Sequence, residues 1–153
     1  MNKKFQKSIL AGIIGSAIMS VVTMVEPMIG MPKISPPEML SGMLGIPIFV
    51  GWLMHFMIGI IFAFFYTYLC IIKWKISNVY LKGAVFGIIV FVFAQIMIAI
   101  LGAIMPMPKM EDSLMLIMLG SLIAHIAFGM TVAKTVGNAY DTSKKWIDKK
   151  DLK

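Results

Sequence analysis

The chain has 153 residues, 59% of them hydrophobic and 14% charged, with a formal net charge of +7. A soluble domain carries about 25% charged and about 45–50% apolar residues, so this composition excludes an ordinary globule, a disordered tail and a disulfide scaffold. Seven acids, two histidines, one cysteine and no arginine also exclude most enzymes that need many ionisable groups, and the single Cys70 cannot close an intramolecular disulfide.

Four apolar runs of about 18–25 residues follow one another, each long enough for a helix to cross a hydrocarbon core of ~30 Å. The first covers about 8–25, behind Lys3, Lys4 and Lys7. It is longer than a signal-peptide core, lacks a small-x-small cleavage site and matches the third run, so it reads as a retained span. Glu26 follows and reads as an interfacial acid. In the loop 27–47, Ser35-Pro36-Pro37-Glu38 predicts an N-cap, prolines in the first turn and a capping-box glutamate. Met39, Leu40, Met43 and Leu44 share one face and Gly45 can end the turn, which predicts a short interfacial helix over about 36–44.

The second run covers about 48–72. A basic and aromatic segment follows it, with Lys73, Trp74, Lys75, Tyr80 and Lys82. The third run, about 83–105, carries Gln95, which predicts an interhelical hydrogen bond. A tight loop at 106–113 offers Asp112 or Ser113 as the cap of the fourth run, about 114–133. The tail from 137 to 153 is polar. No run alternates with period two, so a barrel is excluded and the expected fold is an all-α, four-span membrane domain over 1–153.

Twelve lysines fall on one side of this arrangement and only Lys33 and Lys109 on the other. By the positive-inside rule both termini are expected in the cytoplasm of a multi-pass inner-membrane protein. The net charge is then a topology device, and nucleic acid is not an expected partner.

The second and fourth runs align at an offset of 70 residues: Gly51, His55, Gly59 and Ala63 match Ser121, His125, Gly129 and Ala133. Each set recurs every four residues and forms one stripe along a helix. Gly12 and Gly83 open the other two runs, which lead to Met31-Pro32-Lys33 and Met107-Pro108-Lys109. The expectation is a duplicated helical hairpin with a pseudo-twofold axis along the membrane normal. Small residues every four positions permit close helix packing.

Gly51-Trp52-Leu53-Met54-His55-Phe56-Met57-Ile58-Gly59, the Met-Pro segments and the second His-x-x-x-Gly resemble a family of small uncharacterised four-span bacterial inner-membrane proteins. The resemblance covers most of 8–136. It implies the fold and no activity.

His55 and His125 are the candidate site residues, since ionisable groups within a span are costly and face the bundle interior. One reading is interhelical hydrogen bonding with Ser16, Ser20 or Gln95. Another is axial ligation of haem b, with Gly59 and Gly129 leaving adjacent space for the macrocycle. Met105, Met107 and Met110 form a thioether cluster suited to copper, against the reading of methionine as apolar filler. Glu26 offers a proton or cation role if it turns inward. There is no phosphate loop, catalytic triad or zinc spacing. The leading expectation is a non-enzymatic membrane protein, an accessory or packing subunit whose partners are the lipid bilayer and other membrane subunits. The alternatives are haem-based electron transfer, and copper or proton handling at the outer face.

Overall fold

The computed structural model describes residues 3–33, 35–70, 76, 78–105 and 113–150, with side chains described up to 137 apart from Cys70. Helix α1 spans Lys3–Val25 and continues as a 3-10 turn over Glu26–Ile29. Gly30 ends that turn at φ 83, a left-handed conformation that costs glycine nothing. Helix α2 spans Pro36–Leu44, α3 spans Ile48–Phe65 with a π turn over Tyr66–Cys70, α4 spans Val79–Ile104 and α5 spans Leu114–Lys150. No strand occurs among the described residues.

Four segments are long and apolar enough to cross a membrane: Lys3–Ile29, Ile48–Leu69, Val79–Ile104 and Leu114–Gly137. The all-α architecture with four such helices is the expected one. Helix α5 extends past the expected span of about 114–133. It runs unbroken to Lys150, because no proline or glycine beyond Gly137 interrupts it.

Local chemistry explains the ends. The Ser35 hydroxyl accepts from the Glu38 N–H at 3.4 Å, and Pro36 and Pro37 occupy the first turn, where a missing N–H costs no bond. The expected capping-box return from Glu38 is not made. Its carboxylate meets Lys33 Nζ at 3.3 Å instead. Gly45, at φ 63, ends the helix. Asn78 is an N-cap not expected from the sequence, and its side-chain Oδ1 accepts from the Tyr80 and Leu81 N–H groups. Asp112 lies outside the described residues.

Helix α1 packs against both α3 and α5, α4 lies along α5, and α2 lies against α3. Its central place follows from its small residues on two sides. A Cβ at Gly12 would collide with the Ile60 backbone of α3, while one at Gly15 would press on Phe128 and Val132 of α5. Aromatic contacts close the remaining side: Phe62 meets Phe93, and Tyr66 of the π turn meets Phe86 at 5.0 Å between ring centroids. Consequently 44% of the most apolar window of the first helix is buried, against 17% for α4.

Candidate functional site around the two histidines

The stripe on α3 makes a sequence of close contacts. Gly51 lies under the Pro37 carbonyl of α2, where a Cβ would collide with the oxygen. One turn on, His55 is buried and its Nε2 lies 3.2 Å from the Ser20 hydroxyl and 3.4 Å from the Ser16 carbonyl, both on α1. The Ser20 proton goes to the Ser16 carbonyl at 3.0 Å, so Nε2 is the donor and Nδ1 holds the lone pair. Another turn on, Gly59 faces Ser16 and the Gly12 carbonyl. Trp52 and Phe56 hold the imidazole by edge contacts.

The stripe on α5 is packed as tightly but wired differently. His125 is equally buried, yet its Nδ1 bonds the Ser121 carbonyl of its own helix at 2.6 Å. Nδ1 is therefore the donor here and Nε2 holds the lone pair. Its ring meets the edge of Phe91 at 5.8 Å. Gly129 approaches the backbone of Gly83 and Gly87, and Gly87 lies under the His125 carbonyl.

Among the described residues, no hydrogen bond or ring contact joins the two histidines. The space expected beside Gly59 and Gly129 is not open to a flat ligand. The backbones of α1 and α4 fill it, because the glycines serve helix approach.

Other candidates fall as follows. Gln95 is half-buried and makes no hydrogen bond among the described residues, contrary to the expected interhelical bond. Glu26 is covered by the protein. It is 3% exposed, and neither carboxylate oxygen has a hydrogen-bond partner. The reason is register: Glu26 stands seven residues after the buried Met19, and the 3-10 turn carries the same face onward. Met105 caps α4, while Met107 and Met110 lie outside the described residues. No group of three His, Cys, Asp or Glu residues suited to a metal occurs among the described residues.

Two features were missed from sequence. Ser8 donates to Thr67 at 2.9 Å, joining α1 to the π turn at the other end of the bundle. A cavity of about 380 Å³ opens at the α2 end, lined by Ser20, Thr23, Pro37, Glu38 and Trp52 among others. The Ser-Ser-Thr run at 16, 20 and 23 was the available signal, since that spacing keeps the hydroxyls on one face of α1.

No curated protein and no solved structure matches the chain at a significant level. A family match, in contrast, covers residues 2–146. Spanning nearly the whole bundle, both histidine stripes included, it means that the chain belongs to the family of unknown function DUF6789.

Proposed function

We propose that this chain is a non-enzymatic integral membrane protein, a single four-span domain acting as an accessory or packing subunit of a larger complex in a bacterial inner membrane. The observation that carries this reading is the unequal burial of its helices. Helix α4 is the most apolar and the least covered by its own chain. Ile89, Val92, Ile96 and Ile100 form one open apolar stripe on it. The interior supports the non-enzymatic part, since helix backbones fill it and its imidazoles are held by protein groups. The lysine distribution supports cytoplasmic termini. Duplication of a hairpin is supported by the matched approaches of Gly59 to Gly12 and of Gly129 to Gly83.

A photo-crosslinking residue in place of Ile96 tests the subunit role in native membranes. A discrete protein adduct is expected, and adducts to lipid alone overturn it. Reporter fusions after Lys153 and within 35–45 should give opposite compartment signals, and matching signals overturn the four-span orientation.

Hydrogen bonding accounts for the histidines better than haem ligation, because His55 Nε2 is already held and the glycine faces are closed. A Soret band in the purified protein, lost with either histidine, overturns that preference. For copper, Cu(I) titration of a Met105→Leu variant is the direct test.

A further inference from the structure

We propose that the cavity at the α2 end binds a primary ammonium group. The hydrogen-bonding state of its floor carries the argument. The Ser20 hydroxyl gives its proton to the Ser16 carbonyl, and the Thr23 hydroxyl gives its proton to the Ser20 carbonyl at 3.0 Å. Both hydroxyls therefore present oxygen lone pairs to the cavity they line. One Ser20 lone pair is used by His55. Neither of these two hydroxyls has a proton left for a ligand, so this part of the lining calls for one that donates.

Among the described residues, the lining carries one acid, Glu38. Lys33 is the single lining cation, and it already rests on Glu38 at 3.3 Å. This pair shows that the carboxylate can hold an ammonium here. Both partners are well exposed, so Lys33 is a displaceable occupant.

The start of α2 does not compete for anions. Its first two positions are Pro36 and Pro37, which have no N–H, and the Glu38 N–H is taken by Ser35. Trp52 supplies an aromatic wall, a surface that attracts organic cations. The volume of about 380 Å³ suits a small amine or the head of an aminophospholipid. The shared chemistry is R–NH3+, from either source.

Fluorescence of Trp52 reads the site in a protein carrying Trp74→Phe and Trp146→Phe, which removes the other two tryptophans. The protein is held in maltoside detergent free of aminolipids and titrated with ethylammonium. A saturable change is expected, weaker by about fivefold with tetramethylammonium, which cannot donate, and absent with the neutral 1-propanol. Glu38→Gln should weaken ethylammonium by about fivefold, and Lys33→Ala should strengthen it by a similar factor. Loss of fold cannot strengthen binding, so the second variant keeps the pair interpretable. Nanodiscs containing phosphatidylethanolamine separate the sources. Suppression of the ethylammonium titration, relative to phosphatidylcholine discs, assigns the site to a lipid headgroup, and an unchanged titration assigns it to a soluble amine. No saturable change, an equal response to 1-propanol, or an affinity unaltered by Glu38→Gln overturns the proposal.

Discussion

The two histidine stripes share a pattern and differ in where the imidazole finds its partner. His55 reaches across to α1, whereas His125 turns back on its own helix. The opposing helix decides. Ser16 and Ser20 stand four and eight residues after Gly12; Gly87 and Phe91 stand four and eight after Gly83. Where the facing residue is Ser20, a hydroxyl oxygen accepts from the ring. Where it is Phe91, only an aromatic surface is offered, and the ring bonds the Ser121 carbonyl instead. A buried polar group takes whichever partner its neighbours leave within reach. Equivalent positions in one chain thus hold opposite tautomers.

The largest expected effect separates the two glycine contacts. A methyl at Gly129 meets backbone, the Gly83 carbonyl and the Gly87 nitrogen, which cannot yield without moving α4. A methyl at Gly59 meets chiefly the Ser16 hydroxyl, which can rotate away. Gly129→Ala should destabilise the folded bundle by about 3 kcal/mol and Gly59→Ala by about 1 kcal/mol, measured by unfolding in mixed detergent micelles. Equal costs would break the distinction between the two interfaces.

The next effect lies at the head of each stripe. Gly51 carries α2 against its backbone, while Ser121, its counterpart, is only partly buried. Gly51→Ala should cost about 1–2 kcal/mol, because α2 is short and can shift. Ser121→Ala should stay within about 0.5 kcal/mol. A tolerant Gly51 would mean that α2 is not seated on α3.

The smallest effect is the most specific. A double-mutant cycle between Ser20→Ala and His55→Ala should give a coupling near 0.6 kcal/mol, the usual size of an interhelical hydrogen bond in a membrane. The same cycle between Ser121→Ala and His125→Ala should give a smaller coupling, since the accepting carbonyl at 2.6 Å survives the change and only the 3.4 Å contact with the Ser121 hydroxyl is lost. Once Phe91→Ser is introduced, a cycle between position 91 and His125→Ala should approach the first coupling if the facing residue sets the partner.

Much of the fold was legible because long apolar runs leave one option in lipid, a helix. Ser35, Pro36 and Gly45 set the bounds of α2 by local chemistry, and the structure follows them. The site was legible only in part. The stripe spacing placed His55 and His125 inward, but the four-residue period does not say which helix lies opposite. Ser20 and Phe91 act through that pairing, which is a long-range property. The burial of Glu26 was not legible, because Pro27 marks a helix end in sequence while the 3-10 turn keeps the buried face going. The π turn depends on what α3 packs against, and composition does not encode that.

The close backbone contacts at Gly12, Gly83, Gly87 and Gly129 have a thermal consequence. In a soluble domain, unfolding moves apolar surface into water and raises the heat capacity by about 12–15 cal/mol/K per residue. Helices that part within lipid exchange glycine backbone for hydrocarbon chains, with little water entering. The heat-capacity increment of that separation should be close to zero. Cohesion of this bundle should then vary almost linearly with temperature, without the stability maximum or the cold-induced loosening of a water-facing core.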